Sequence, residues 1–474
     1  MPQAPTIAVP ARLPLVVQPE NRDETPDKDA KLVNGYIETN AQTKESFIYK
    51  RPGLDQHFAT IAGTGRGVYN WQGDIYRIQG ATIYKNDVAI GGGAPNGALN
   101  TAGGVYRFSS CLGTPQLQFG NGAASYNYDG GAGPITTIAG ANFSGTIVKG
   151  WAYLDGTTYV MNTAAEIKGC TALNTPTVWT DILNTITAQI EPDAGVALGK
   201  QLVYVVAFKQ WTTEIFFDQL NTTGSPLGPV QGAKINYGCI NSDSIQEIDG
   251  AIFWLATNRS AAVQIILMDN LKATIVSTKP IERLLGEADL TAVASFSIKY
   301  EGHRFYGLTL KNDNITLVYD LAENMWAQWT DANGNYFPIV SATFNTTTAR
   351  VILQHESNGK LYHMDSAFYN DDGSVITVDI YTPNFDAGVR RRKQMNVLEF
   401  IADQTAGSTI QVRTNDYDYD SKRWTPFRKV DLSVKKPTLT GCGSFMRRAH
   451  HLRHQANTPL RIMAVEMQLD IGTL

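Results

Sequence analysis

The sequence predicts an all-β protein: a β-propeller-like domain of about 6–7 blades with an additional C-terminal β-sandwich-like module. The first observation is that apolar residues recur at every second position, as in Tyr306, Leu308 and Leu310 and again from Met463 to Ile471. Such alternation places every second side chain on one face, which is typical of strands with one buried side. The second observation is the 42 glycines among 474 residues, which favour a chain that turns often.

A weak repeat runs through the middle of the chain, in which a glycine is followed three positions later by an aromatic residue. The matches are Gly73 with Tyr76, Gly156 with Tyr159, Gly250 with Phe253, Gly302 with Phe305 and Gly359 with Tyr362. A glycine at such a place supplies the positive φ of a tight hairpin. Gly199 with Leu202 is a looser match, and an instance near Gly122 would bring the series to seven. The six intervals from Gly73 to Gly359 then average about 48 residues, the length of a four-stranded propeller blade. From this pattern alone, a sandwich or an irregular β-solenoid stays open.

Composition divides the chain into three predicted parts. Residues 1–60 are read as an extended N-terminal arm and docking segment, because prolines punctuate it and it lacks a core of its own. Residues 61–384 form the β-propeller-like domain. Residues 385–474 form a basic β-sandwich-like module, with 15 Lys/Arg against 9 Asp/Glu in a chain whose net charge is −4. The overall charge therefore predicts no strong attraction of the whole chain to nucleic acid or anionic membranes.

The basic module supplies a candidate docking or DNA-contact surface, since clustered cations suit an acidic partner or phosphate. The candidate residues are Arg390, Arg391, Arg392, Lys393, Arg447, Arg448 and Arg453. A solvated surface of mixed charge is the alternative interpretation of the same residues.

No catalytic, metal-binding or cofactor-binding residue is predicted. His450, His451 and His454 lie near Cys442, but the surrounding arginines oppose a cation. The run from Asp416 to Asp420 resembles the start of a calcium loop, yet Ser421 and Phe427 stand where the loop needs glycine and glutamate. The four cysteines are far apart, and neither a signal peptide nor a membrane-spanning segment is predicted. We therefore expect folding in a reducing cytoplasm.

Three stretches are similar to the tail-nozzle proteins of short-tailed (podovirus-type) bacteriophages, also called packaged-DNA stabilisation or tail-hub proteins. The first is Leu32-Val33-Asn34-Gly35-Tyr36 with Tyr49-Lys50-Arg51-Pro52-Gly53-Leu54; the second is Val276-Ser277-Thr278, Ile281-Glu282, Gly302-His303-Arg304-Phe305-Tyr306, Val318-Tyr319-Asp320 and Trp326; the third is Val412-Arg413-Thr414 with Arg447-Arg448. The resemblance spans nearly the whole chain, and none of its motifs is catalytic.

The resemblance implies a structural virion protein without enzymatic activity: a nozzle that forms a homohexameric ring, continues the portal–adaptor channel, retains packaged DNA and lets it pass during ejection. Its implied partners are further copies of itself, the portal-bound adaptor protein, and tail fibre, spike or tail-tip proteins, with transient non-specific contact with the exiting DNA. Its implied place is the virion tail, after assembly in the host cytoplasm.

Two alternatives stay open at the level of sequence. The repeat, together with a degenerate hairpin from Thr414 to Trp424, is compatible with a propeller-fold glycosidase or sialidase. A glycan-binding tail protein without turnover is the other alternative. An enzyme would need two carboxylates brought together in space, and sequence spacing does not reveal such a pair.

Overall fold

The computed structural model of the chain describes residues 8–15, 30–90, 98–112, 115–131, 135–260, 262–417, 420 and 422–471. Strands dominate these ranges. The helical elements within them are α1 (Lys279–Glu287) and a short 3-10 helix (Ser242–Ser244). The N-terminal strands are β1 (Ala8–Arg12), β2 (Lys31–Val33), β3 (Gly35–Thr39), β4 (Ser46–Lys50) and β5 (Gly53–Gln56).

The strands of the middle of the chain are β6 (Gly65–Trp71), β7 (Asp74–Gln79), β8 (Thr82–Lys85), β9 (Val88–Ala89), β10 (Arg107–Cys111), β11 (Gln116–Gly120), β12 (Ser125–Tyr128), β13 (Thr136–Thr137), β14 (Ala152–Leu154), β15 (Thr157–Met161), β16 (Glu166–Gly169), β17 (Thr185–Thr187), β18 (Gly195–Gln201), β19 (Tyr204–Lys209), β20 (Thr213–Asp218), β21 (Leu227–Pro229), β22 (Gly238–Cys239), β23 (Gln246–Ile248), β24 (Ala251–Thr257), β25 (Val263–Asp269), β26 (Lys272–Ile275), β27 (Val293–Tyr300) and β28 (His303–Leu310).

The remaining strands are β29 (Ile315–Asp320), β30 (Met325–Gln328), β31 (Ile339–Asn345), β32 (Arg350–His355), β33 (Leu361–Asp365), β34 (Asn370–Asp371), β35 (Ser374–Val375), β36 (Val378–Tyr381), β37 (Lys393–Ala402), β38 (Thr409–Asn415), β39 (Arg428–Asp431), β40 (Thr438–Thr440), β41 (Ser444–Phe445), β42 (Ala449–His454) and β43 (Arg461–Ile471).

The chain forms two compact units. Unit 1 comprises Met1–Asp55, Asn314–Phe337 and Met364–Leu474, and unit 2 comprises Gln56–Asp313 and Pro338–His363. The predicted boundaries at residues 60 and 384 rest on composition and stay a prediction. The compact units follow contacts, and they group N-terminal strands with C-terminal ones because β1 and β4 both pair with β43.

Unit 2 is the β-propeller. In its described part, four four-stranded antiparallel sheets (β6–β9, β10–β13, β14–β17 and β18–β21) precede a five-stranded sheet (β22–β26) and the pairs β27–β28 and β31–β32. The first strands of successive sheets run parallel, as the bridge between Lys149 and Ala197 shows. The last of them, β31, returns to β6, where Ser341 Oγ accepts from Val68 N at 3.2 Å and Thr343 Oγ1 accepts from Asn70 N at 3.1 Å. The predicted all-β, propeller-like fold with an additional C-terminal β-module is therefore confirmed.

The hairpin between the first and second strand of a sheet explains most of the glycine repeat. Gly73, Gly156, Gly250 and Gly302 all have φ between 79° and 89°, and each follows a residue that is itself left-handed. Two consecutive positive φ values give the tight turn that matches strand twist. Gly359 instead lies between β32 and β33, at the second hairpin of its sheet, so this match belongs to a different turn.

Unit 1 contains two sheets over one core. One sheet pairs β37 with β43 over nearly their whole length and adds β1, β3, β4, β40 and β41; the other orders β36, β42, β38 and β39 beside β2. Alternate side chains of β37, β38, β42 and β43 fill the core between the two sheets, because alternation along a strand sends every second residue inward. N-terminal Leu13 and Leu15 lie in the same core.

A buried polar clasp joins the three segments of unit 1. Asn34, left-handed at φ 55°, donates through Nδ2 to Thr330 Oγ1 at 2.7 Å and to the Thr377 carbonyl at 2.9 Å. Arg51 is fully buried and donates to both carboxylate oxygens of Asp371, at 2.9 and 2.5 Å. Arg51 also donates to Asn34 Oδ1 at 3.0 Å and to the Thr330 carbonyl at 3.1 Å. The clasp therefore links residues that lie about 300 positions apart.

Candidate docking and DNA-contact surface

The four residues of the basic run Arg390–Lys393, which leads into β37, differ in burial. Arg390–Arg392 are exposed, whereas Lys393 is fully buried. Lys393 Nζ donates to the backbone carbonyl oxygens of Val389, Arg391 and Met446, at 2.5, 2.8 and 2.8 Å. Burial lowers the pKa of Lys393. Lys393 therefore holds the segment before β37 against the backbone at Met446. The three arginines before it present their guanidinium groups at the surface.

Arg448 is a structural residue. Its Nε and Nη2 donate to the two carboxylate oxygens of Asp416, at 2.6 and 2.8 Å, and its Nη1 donates to the Cys442 carbonyl at 2.6 Å. The guanidinium also lies 4.4 Å from the ring centroid of Phe445. Arg448 is 3% exposed, whereas its neighbour Arg447 is half-buried. A bidentate, buried pair of this kind holds a loop in place and leaves few donors for a partner.

Arg453 belongs to a network around Asp379. Arg453 donates to Asp379 Oδ1 at 2.7 Å, and His451 Nε2 lies 2.6 Å from the same oxygen. Arg413 donates to His451 Nδ1 at 2.7 Å, so Nδ1 is an acceptor and Nε2 carries the proton that Asp379 accepts. Burial alone raises the pKa of Asp379, but the hydrogen bonds from His451 and Arg453 outweigh it and lower that pKa. The network is internal to the module and fixes β36 against β42.

The other histidines of the C-terminal group are buried among cations. Burial, with Arg448 nearby, lowers the pKa of His450 to about 3. Burial, with Lys50 nearby, lowers the pKa of His454 to about 4. Within the described ranges, the side chains form no group of three histidines, cysteines or carboxylates suited to a metal ion. Both rings are therefore neutral packing elements near neutral pH.

The acidic run after β38 has its carboxylates directed to arginines. Asp416 accepts the bidentate hydrogen bonds of Arg448, and Asp420 Oδ2 lies 2.9 Å from Arg423 Nε. Asp418, Tyr419 and Ser421 lie outside the described residues.

Unit 2 contains a cavity of about 700 Å³ among the first strands of its sheets, which the sequence did not reveal. Tyr69 and Phe108 stack in its wall with ring centroids 5.3 Å apart, and Lys149 Nζ lies 2.7 Å from Asp243 Oδ2. Among the described lining residues, Glu247 is the sole carboxylate, and burial raises its pKa. Most glycosidases place two carboxylates across the bond that they cleave, whereas the described lining presents Glu247 alone.

The structure therefore separates the seven candidate residues. Arg390, Arg391 and Arg392 are exposed beside one another, whereas Lys393, Arg448 and Arg453 direct their donors into unit 1. Arg447 is half-buried and belongs to neither group. Sequence reasoning grouped them because they share a charge and a region. The distinguishing feature is the partner of each cation, which lies up to 74 residues away along the chain.

In the described part of the chain, no helix has the length and apolar character that crossing a membrane requires.

Comparison with models of protein families finds a match for most of the chain. The family model described as "Bacteriophage P22 Gp10, beta-propeller" matches residues 21–369. No curated protein matches the chain in sequence.

Solved structures resemble the chain only distantly. The extracellular domain of a one-component system from B. thetaiotaomicron is 8% identical with a TM-score of 0.41; the alignment covers 90% of this chain and 62% of that one, so the chain spans less than two thirds of that protein. A chain from an S. cerevisiae assembly of Dbp5, Nup159 and Gle1 is 9% identical, with a TM-score of 0.36 and coverage of 71% and 99%. The computationally designed Ika8 protein is 11% identical, with a TM-score of 0.39 and coverage of 65% and 99%.

Proposed function

The chain belongs to the bacteriophage P22 Gp10 β-propeller family, and we propose that it is the tail nozzle of a short-tailed phage. The family match over residues 21–369, about three quarters of the chain, is the observation that carries this proposal. Membership makes the chain a structural tail protein of a phage virion. The more detailed role is that the chain forms a homohexameric ring, continues the portal–adaptor channel, retains packaged DNA and lets it pass during ejection.

The charge distribution supports a conduit. A channel wall densely covered with free Lys and Arg would retard DNA through phosphate contacts. This chain carries a net charge of −4, and Lys393, Arg448 and Arg453 of its basic module direct their donors to internal acceptors. The net negative charge of the chain opposes strong retention of DNA, which favours rapid passage.

Arg390–Arg392 are the residues proposed to contact DNA phosphate or an acidic virion partner, with half-buried Arg447 beside Arg448 as a further donor of the same module. Replacing Arg390–Arg392 with alanine should weaken non-specific DNA binding and flatten its dependence on salt, by a slope of about 0.9 for each phosphate that the variant no longer neutralises. Fluorescence anisotropy of a labelled duplex between low and high NaCl measures this. A slope equal to that of the unchanged protein would exclude these arginines as phosphate-binding residues.

The nozzle itself is tested by assembly. Light scattering coupled to size-exclusion chromatography measures the mass of the purified chain alone and with a portal–adaptor complex, and electron micrographs show whether a sixfold ring forms. A chain that stays monomeric and does not bind that complex overturns the proposal. We also propose that the chain is not an enzyme and that its partners are the adaptor and the tail fibre, spike or tip proteins. Turnover of sialosides or host glycans above background would contradict the first of these statements.

A further inference from the structure

The two ends of the propeller differ in charge. Because the first strands of the sheets run parallel, the loops that follow them lie at one end, which we call the hairpin end. Its described loop residues are 72–73, 86–87, 112, 115, 129–131, 155–156, 170–184, 202–203, 219–226, 249–250, 270–271, 301–302 and 346–349. They contain six carboxylates and no lysine or arginine: Asp87, Asp129, Asp155, Asp181, Asp249 and Glu301. Asp87 and Asp249 are paired with Arg77 and Lys299 of the adjoining strands.

The opposite end is balanced. Its described connecting residues are 80–81, 90, 98–106, 121–124, 138–151, 162–165, 188–194, 210–212, 230–237, 258–260, 262, 276–292 (which include α1), 311–313 and 356–360. They contain seven basic residues, which are Lys149, Lys234, Arg259, Lys279, Arg283, Lys311 and Lys360. They contain seven acidic residues, which are Glu191, Asp193, Glu282, Glu287, Asp289, Asp313 and Glu356. The acidity of unit 2 is thus concentrated on one end.

The same end carries large exposed apolar side chains. In the described hairpin-end loops these are Leu112, Leu173, Val178, Ile182, Leu183, Leu202, Val203 and Leu220, with exposed fractions from 36% to 80%. They come from three successive sheets that meet there: Cys111 Sγ lies 3.6 Å from Asn174 Oδ1, and a Cβ on Gly224 would lie 3.7 Å from the Leu183 carbonyl oxygen. Exposed apolar side chains clustered on neighbouring loops are typical of an interaction site.

Two of these leucines also have an unfavourable backbone. Leu202 and Leu220 are left-handed, at φ 51° and 57°. At the hairpin equivalent to Leu202-Val203, other sheets place a polar residue and a glycine, as in Asp155-Gly156 and Asp249-Gly250. Left-handed φ disfavours a bulky residue, and an exposed leucine adds nothing to the core. Leu202 packs over Gly250 in the hairpin of the next sheet, whereas Leu220 is 80% exposed, so a contact with another molecule is the physical explanation for Leu220.

We propose that the hairpin end of unit 2 docks onto the Arg390–Arg392 surface of a second copy of this chain. That surface has the complementary character, because three exposed arginines lie beside Met446, which is 57% exposed. Arginine and methionine favour such interfaces, and opposite potentials set partner and register. Two different surfaces of one chain make a head-to-tail contact, which closes into a ring when the rotation allows it. The inference rests on the proposed ring and identifies its contact.

The experiment compares matched variants by light scattering and sedimentation velocity over a concentration series. Leu220→Ser and Asp155→Lys at the hairpin end should each raise the self-dissociation constant at least ~10-fold. Ile190→Ser and Glu287→Lys make the same chemical changes at the opposite end and should leave it unchanged. Arg390→Glu with Arg391→Glu should weaken assembly, and combining that pair with Asp155→Lys should restore part of it. Circular dichroism and thermal melts confirm that each variant folds.

The outcomes separate this inference from the nozzle proposal. Unchanged self-association in both hairpin-end variants overturns the docking surface while the ring stands. Loss of adaptor–portal binding with unchanged self-association overturns the choice of a second copy as occupant. A wild-type chain that stays monomeric at every concentration and with the portal–adaptor complex overturns the ring and the docking surface together.

Discussion

Unit 2 and unit 1 both consist of antiparallel strands, but they close in different ways. Most strands of unit 2 pair with the next strand along the chain, and β31 completes the unit by packing on β6. Unit 1 is assembled from three segments, and β1 pairs with β43 at the other end of the chain. Local pairing forms with little loss of chain entropy, whereas pairing across hundreds of residues needs strong tertiary contacts. Unit 1 therefore depends on individual long-range interactions more than unit 2 does.

Each unit also contains a buried, positively charged side chain that connects separate segments of the chain. In unit 2, Lys209 Nζ lies 2.7 Å from Asp193 and 2.6 Å from Glu214, and all three side chains are at most 2% exposed. In unit 1, Arg51 joins Asn34, Thr330 and Asp371. The acceptors of Lys209 lie within 21 residues of it, whereas Asp371 lies 320 residues from Arg51. Mutations should therefore distinguish the loss of local contacts in unit 2 from the loss of long-range contacts in unit 1.

The largest effect is expected for Lys209→Met in unit 2. The change leaves two buried carboxylates without their cation, and it should lower the free energy of unfolding by about 5 kcal/mol. Urea unfolding followed by tryptophan fluorescence measures the loss. Lys234→Met is the control, because its pair with Glu191 is about 30% exposed and should contribute less than about 1 kcal/mol. Equal losses in the two variants would contradict the account of the Lys209 cluster.

Arg51→Met should lower the free energy of unfolding of unit 1 by about 3–4 kcal/mol, since Asp371 and Asn34 lose buried hydrogen bonds. Hydrogen exchange read by mass spectrometry should show faster exchange in β2, β36 and β43 and unchanged protection in β18–β20. Arg12→Met is the control, because its pair with Glu466 is solvent-exposed. If β18–β20 lost protection as early as β43, the clasp would not be specific to unit 1.

Acid should destabilise unit 1 through His450 and His454. Their pKa values are lowered to about 3 and about 4 in the folded chain, so between pH 6.5 and 4 the unfolded chain binds more protons. The free energy of unfolding then falls as pH falls through that window, by about 1.4 kcal/mol per pH unit for each histidine. His450→Phe should remove one such contribution. Denaturation midpoints at pH 7, 6 and 5 test this, and parallel slopes for variant and wild type would refute it.

The smallest effect is expected in the hairpin of β18 and β19. Leu202→Asn replaces a bulky left-handed residue with one that tolerates positive φ, and it should raise the free energy of unfolding by about 0.5–1 kcal/mol. The same substitution at Leu198, in the interior of β18, should be strongly destabilising because that side chain is buried. Differential scanning calorimetry measures both changes. A lower melting temperature for Leu202→Asn would show that the turn is not strained.

The sequence pattern predicted much of unit 2 and little of unit 1. The glycine repeat located four of the seven first hairpins of the described sheets and missed those of β10–β11, β18–β19 and β31–β32. In β18–β19, Leu202-Val203 stands in place of a polar residue and glycine. The repeat also placed Gly359 with the others, although that glycine lies at a different turn. In the sequence, the long-range clasp is visible only as the short motif around Asn34 and Arg51.

By itself, the sequence determined that the chain is all-β, predicted a propeller with a further β-module, and showed which phage family the chain resembles. Strand alternation and left-handed turns are properties of a few neighbouring residues, so they can be recognised without knowing the fold. Only the tertiary structure decided that Arg390–Arg392 are exposed while Arg448 and Arg453 are occupied, and that acidic and apolar loops share one end of the propeller. These features depend on which residues the strand register brings together, and their partners are distant in sequence.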